Sequence, residues 1–562
     1  MKNNKFLTIL LVAALGLAAT SCSNDYLDVN DNPNAIQAED ITPELMLPGA
    51  ISTAYRTQAG TMMQFGNLMM NSWAGNAYTF TSPFQREFNL NSVDNTFYTG
   101  IWELYPKIAN FDQMEKFANP DHKQDNYIAV AKIMKAYYMQ YIVDLYGDAP
   151  YSEAFKGQVN TSPVYDNDVD IYKSLISKLE EANALLDAAH PDALPITTPD
   201  IVFKGDMDKW KGFSNTVMLR LLIRMSKVTG DLQTYRNQKL QALSARTSNG
   251  ADGSFIEEEV TVNPGYSSGN DDQMNPYVLT WARTSANTSV QNYNFIVVSE
   301  HMANALEGNV ILNSSDYAKF TGLKDPRRSR LFTNVNSVDA NGNPFVGLKG
   351  IRQGNIPGQP GVPVNNVNTS NMGIGNFTSN IYNPVNTNAW LSIIGDNNTR
   401  GGSLFSIAES DLLQAEAALR WPAMFSAIDG QAKFTNAINA NAAWLGVNTA
   451  QMAIYLTGGP GITGINARPG LGWIGSDAQK LEAIMTQKWI ALTNINPTEM
   501  FIEYNRTGYP YTPMATTAQY PNKPYRLVYP FSEYAANSAH VPNISSAQVF
   551  VKNQYTPFWN QN

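Results

Sequence analysis

In the stretch NYIAVAKIMKAYYMQYIVDLYGDAPY, residues 126–151, Val130, Met134, Tyr137, Tyr141 and Leu145 recur at helical spacing, and Gly147 followed by Pro150 ends the run. Apolar residues also fill the flanking positions, which predicts a helix buried on most sides. A second helix is predicted over 170–190, with Ile171, Leu175, Leu179, Ala182 and Leu186 as its stripe and Asp170 as its N-cap. A third carries Trp210, Phe213, Val217, Leu221 and Met225 on one face. From about 250 to 402 this periodicity fades. Residues 341–400 hold 14 Asn but only four charged side chains, and Phe345, Phe377, Tyr382 and Trp390 supply apolar anchors that a linker lacks. The expectation is a set of long ordered loops on a helical scaffold. Helices return in LFSIAESDLLQAEAALRW (404–421), TNAINANAAWL (435–445) and SDAQKLEAIMTQKWIAL (476–492), where Ser476 and Gln479 have capping-box spacing. The scaffold is therefore discontinuous in sequence.

The N-terminus follows a different pattern. Lys2 and Lys5 precede an apolar run over 6–19, and polar and acidic residues follow abruptly. Fourteen residues span about 21 Å as a helix, short of a hydrocarbon core of roughly 30 Å, so the run reads as an export signal and not as a transmembrane anchor. Cys22 comes directly after Ala19-Thr20-Ser21 and is the sole cysteine of the chain. The layout resembles the bacterial lipobox, with Ala19 where leucine is preferred, and predicts a lipidated N-terminal cysteine. The alternative is a small residue that only ends the signal. A single thiol leaves no disulfide framework.

Composition narrows the chemistry further. The formal net charge of −9 becomes −11 once Lys2 and Lys5 leave with the signal, which argues against nucleic acid and polyanionic ligands. Charged residues make up only 15% of the chain, a balance suited to neutral polar ligands. GLGWIG, residues 470–475, fits a dinucleotide fingerprint, but Ala467-Arg468-Pro469 stands where the preceding strand should be, so turn glycines are the better reading. Asp28, Asn30, Asn32, Asn34 and Glu39 fall at EF-hand intervals; Pro33 at the glycine position rejects that motif and leaves room only for a weaker structural calcium site. His122, His190, His301 and His540 are scattered singly, with no zinc spacing. No nucleophile elbow or phosphate loop occurs. A pair of glycosidase carboxylates among the 48 acidic residues stays open.

The run KLEAIMTQKWIALTNINPTEMFIEYNRTGYP, residues 480–510, resembles the SusD/RagB family of surface nutrient-binding lipoproteins. The Arg506 to Pro510 turn, the element Tyr529-Pro530-Phe531-Ser532-Glu533 with Asn537 following, the Tyr26 to Asp28 segment after the cysteine, LYGDAPY (145–151) and DPRRSRLF (325–332) are similar to the family's landmarks in order along the whole chain. The resemblance implies a mainly α fold of tetratricopeptide-like helix pairs with an irregular half packed against them, although no clear 34-residue repeat is present. It gives a signal peptide over 1–21 and one SusD-like unit over 22–562: scaffold at about 40–250 and 403–500, loop-rich insertion at about 251–402, irregular C-terminal segment at about 501–562. Arg506, Glu409 and Glu416 are expected to pair charges between packed helices.

The resemblance further implies a non-enzymatic lipoprotein on the outside of the outer membrane. It would bind an oligosaccharide, need no cofactor, and pass its ligand to a SusC-like TonB-dependent barrel. A peptide-binding member of the same family and a surface glycoside hydrolase are the alternatives. Sugar binding needs aromatic faces for C–H surfaces and amides for hydroxyls. Trp73 and Tyr78 in the Gly/Asn-rich NSWAGNAYTF loop, and Trp281, Tyr293 and Trp390 in the irregular half, are the candidate contact residues, as exposed loop aromatics; the alternative for each is an aromatic buried under its own loop.

Overall fold

The computed structural model describes residues 41–561, apart from 81–82, 249–253, 287, 310–314, 339–342, 365–367 and 374–399. Cys22, the calcium-like stretch 28–39 and Trp390 lie outside the described residues. The fold is mainly α. Its first helices are α1 (Pro43–Thr57) and α2 (Met63–Met69), joined through a π-turn over Gln58–Met62. They lead into β1 (Trp73–Gly75) and the short α3 (Gln85–Asn89). Next come α4 (Leu104–Glu115) and α5 (Asp125–Tyr146), the latter ended by Gly147 at φ 74°. Twenty of the 22 residues of α5 are buried, because neighbours pack on every side of it. A two-residue ribbon, β2 (Ala149–Pro150) with β3 (Tyr165–Asp166), precedes α6 (Asp168–Ala188). Asn167, not Asp170, caps α6, its side chain accepting from the Val169 amide. The cap therefore sits three residues before the expected one, and Asp170 falls in the first turn, where its charge suits the helix dipole.

α7 (Met207–Arg224), capped by Asp206, packs on α6, and α8 (Gly230–Ser248) packs on α7. Short elements follow. β4 (Val260–Val262), α9 (Pro276–Trp281), α10 (Gln291–Phe295), β5 (Ile296–Val298), α11 (Glu300–Glu307), the β6–β7 hairpin (Val335–Val338 with Pro344–Gly347) and β8 (Gly402–Phe405) carry the chain across the irregular half. β4 pairs with β8, so the two ends of this half are held together, and β5 in its middle pairs with β1 of the N-terminal segment, both in antiparallel ladders. α12 (Ile407–Arg420), α13 (Gly430–Trp444), α14 (Thr449–Thr457), α15 (Asp477–Leu492) and α16 (Pro497–Thr507) complete the scaffold, with a reciprocal capping box at Ser476 and Gln479. The chain closes on α17 (Phe531–Ala536) and irregular turns. GLGWIG is a turn: Gly470 has φ +78°, and a Cβ on Gly472 would lie 1.9 Å from the Ile465 carbonyl oxygen.

Where α7, α12, α15 and α16 meet, the interior is ionic. Arg506 binds both Glu416 oxygens at 2.7 and 2.8 Å, Arg220 meets Glu409 at 3.2 Å, and Arg224 reaches Glu503 at 2.6 Å and Asp144 at 3.2 Å, all without solvent exposure. Helices this apolar have few wet faces, so charges between them survive only in pairs.

Candidate functional site

The loop after β1 is shaped by one asparagine. Asn76 donates its amide to Phe295 O (2.8 Å) and its side chain to Asn294 O (3.2 Å), while its Oδ1 accepts from the Tyr78 amide (3.3 Å). Its own carbonyl takes the amides of Thr79 and Phe80, closing a tight turn. Tyr78 is thereby half-exposed, with its hydroxyl donating to Pro363 O at 2.9 Å, and partial burial pushes that hydroxyl above its usual pKa. Phe80 is 37% exposed and stands edge-on to Phe295, ring centroids 3.8 Å apart at 73°. A Cβ on Gly75 would lie 2.3 Å from the Pro83 ring, so glycine is what lets the loop fold back.

A cavity of about 220 Å³ is lined by Gly75, Ala77 and Pro83 of this stretch, and Arg352 lines both it and another of about 230 Å³. Its guanidinium is held by Glu300 at 2.5 Å. The larger of the two is backed by His301, whose Nδ1 meets the Tyr317 hydroxyl. Burial, then Lys523 and Lys319, push the imidazole down to about 3, so it is neutral in any ordinary medium. The smaller is lined by amides, among them Asn89, Asn355 and Gln359. A third pocket of about 370 Å³ lies over the π-turn. There Tyr98 accepts from Gln64 (3.1 Å) and donates to Glu87 (2.9 Å), and burial raises the Glu87 carboxyl against that bond. Among the described residues no group of three or more His, Cys, Asp or Glu side chains is placed to hold a metal.

The expected contact residues part company here. Trp73 is fully buried: its indole donates to Asn494 Oδ1 at 2.8 Å and packs edge-on against Trp281 at 5.1 Å. Trp281 is 2% exposed and donates to Ala59 O (2.6 Å), a carbonyl within the π-turn; it reaches the third pocket only as floor. Tyr293 is 5% exposed. These three are therefore not exposed platform aromatics as they stand: they pack beneath the surface because β1–β5 pairing draws both loops onto the scaffold. Tyr78 alone of the described candidates reaches solvent. Phe80, Phe295 and Arg352 were missed, although Phe80 closes the same NSWAGNAYTF stretch.

The candidate site thus combines a helical scaffold, loops tied by short ladders, small amide-lined cavities and the partly exposed rings of one loop, and in it Glu300 and Glu87 are each already engaged. The chain belongs to the SusD-like family, whose model, described as "Starch-binding associating with outer membrane", matches residues 33–530. Members are binding proteins rather than enzymes. Among solved structures, the chain is similar to a chitin-binding protein (22% identity, 88% of this chain and 94% of that one, TM-score 0.63). It is also similar to a SusD homologue from Bacteroides thetaiotaomicron (19%, 93% and 99%, 0.62) and to a chitin-binding SusD homologue from Flavobacterium johnsoniae (20%, 92% and 98%, 0.62). No curated protein sequence matches the chain. Among the described residues, no helix is long and apolar enough to cross a membrane.

Proposed function

We propose that this protein is an outer membrane lipoprotein, anchored through Cys22 and facing the cell exterior. It binds a neutral oligosaccharide at the Asn76–Phe80 loop and delivers it to a SusC-like TonB-dependent barrel. What supports the binding step is a loop that carries the exposed Phe80 and the half-buried Tyr78 and that lines an amide-rich cavity through Gly75, Ala77 and Pro83, in a site whose Arg352 and Glu300 neutralise each other. Ring faces take up the C–H surfaces of sugars and amides pair with hydroxyls, whereas hydrolysis would need two carboxylates facing one bond. Trp73 and Trp281 serve that site from below, by fixing the loop on Asn494 and on the π-turn. The chitin-binding neighbours make N-acetylchitohexaose the first probe, with maltoheptaose second because of the family's description. The mature chain should bind at least one of the two in calorimetry, and mass spectrometry of the recovered sugar should find it unshortened. Shorter products accumulating over hours would reject the binding-only reading.

A further inference from the structure

The largest cavity described, about 880 Å³, lies elsewhere, between α4, the 150–163 loop and α17, and shares no lining residue with the loop site. It falls within the range of ordinary small-ligand pockets. Its long wall is the outer face of α4. Tyr105, Ala109 and Gln113 recur every fourth residue and stay at least partly exposed, while Ile108, Phe111 and Met114 on the opposite side are buried. Facing them is Phe155, a non-glycine residue held at φ 61°. Its ring lies 4.9 Å from that of Tyr105, which in turn stacks on Trp102 at 5.4 Å and 14°. The Tyr105 hydroxyl donates to Pro150 O (2.8 Å), and this locks the middle ring in place. Phe155 and Tyr105 thus form the aromatic surface of the groove, with the buried Trp102 stacked behind Tyr105.

The carboxylates and the α4 amides around this surface differ in how far they are engaged. Both carboxylates are engaged: Asp112 with Lys116 (2.7 Å) and Lys135 (2.6 Å), Glu533 with the Trp102 indole (3.2 Å) and the Tyr165 hydroxyl (2.7 Å). The side chains of Asn110 and Gln113, by contrast, make no hydrogen bond among the described residues and line the groove. An extended peptide would need a free backbone edge, and the regular wall elements offer none: α4 satisfies its own backbone, and Pro150, the β2 residue on the wall, has no amide N–H and gives its carbonyl to Tyr105. Rings for C–H faces, free amides for hydroxyls and engaged carboxylates fit a neutral sugar chain, with the exposed Lys156 as the one lining charge that has no carboxylate partner among the described residues.

We propose that this groove is a second saccharide-binding site, in which a neutral oligosaccharide stacks on Phe155 and Tyr105 and pairs its hydroxyls with Asn110 and Gln113. Phe155→Ala, and separately the double variant Asn110→Ala with Gln113→Ala, would be made in the wild-type and in the Phe80→Ala chain. Failure of the loop site then leaves the groove result readable. Binding of N-acetylchitohexaose and of maltoheptaose would be followed by calorimetry beside a thermal melt. Expected is binding of at least one probe that persists in Phe80→Ala and weakens at least fivefold in the amide double variant, with an unchanged melting temperature. The inference is overturned if the groove variants bind both probes as their parents do, or if Phe80→Ala binds neither. A peptide pool retained by the groove in place of any sugar would overturn it too.

Discussion

Burial decides the protonation state of His301, and with it a part of the acid response. In the unfolded chain an imidazole titrates near 6.5, while in the fold it is pushed down to about 3 by burial, with Lys523 and Lys319 adding to the effect. Between those values the unfolded state binds the extra proton, so the stability this group contributes is present above about pH 6.5 and is lost as pH falls toward 3. His301→Leu should therefore lose less stability than wild type between pH 6.5 and 4 in denaturant titrations; parallel curves would contradict this. The same scale shows what a sequence hides. Trp73 and Phe80 sit in one loop of similar composition, yet one is fully buried and the other 37% exposed. The difference is made by Asn494, which takes the Trp73 indole from 421 residues away, and no local pattern carries that distance. His301 was equally opaque, since its neighbours Tyr317 and Tyr511 come from separate segments.

Helices were the legible elements. The stripe Val130, Met134, Tyr137, Tyr141, Leu145 is entirely buried in α5, and Gly147 ends that helix as its sequence position implies. Boundaries were less so, as Asn167 in place of Asp170 illustrates, because several polar residues near a helix start can serve as caps. The expectation that Arg506, Glu409 and Glu416 pair charges between helices is met in the shared interior of α7, α12 and α16. Here the energetic stake is asymmetric: a buried pair adds little net stability, but removing one partner strands the other. Burial tends to raise the Glu416 carboxyl, yet Arg506 and Arg420 hold it below its usual value. Glu416→Ala, which leaves Arg506 with Glu503 alone among its carboxylates, should cost about 3–5 kcal/mol in urea unfolding. A loss below about 1 kcal/mol would contradict the role given to this cluster.

At the scale of the whole molecule, 43% hydrophobic residues with few charges build a large helical interior and leave a surface of amides and scattered rings. The mature chain proposed above, with a net charge of −11, would gain nothing from an anionic membrane by electrostatics, which supports the lipid on Cys22 as the proposed anchor. Cys22→Ala should move the protein out of the outer membrane fraction in cells lacking the barrel, and wild-type recovery of the variant in that fraction would contradict lipidation. The site proposed here lies in a region the sequence singles out, residues 71–80, but which of its rings are exposed was not legible, because exposure is set by β1–β5 pairing across 225 positions, from Trp73 to Val298. The most direct test of oligosaccharide binding at this loop is calorimetric titration of N-acetylchitohexaose and maltoheptaose into wild type, Phe80→Ala and Trp73→Ala, each beside a thermal melt. Phe80→Ala should weaken the high-affinity phase about fivefold to tenfold at an unchanged melting temperature. Trp73→Ala should lower the melting temperature, as expected for a core tryptophan whose loss costs about 3–5 kcal/mol. Undiminished affinity in Phe80→Ala, or a melting temperature that falls with it, would contradict the placement of the ligand on this loop.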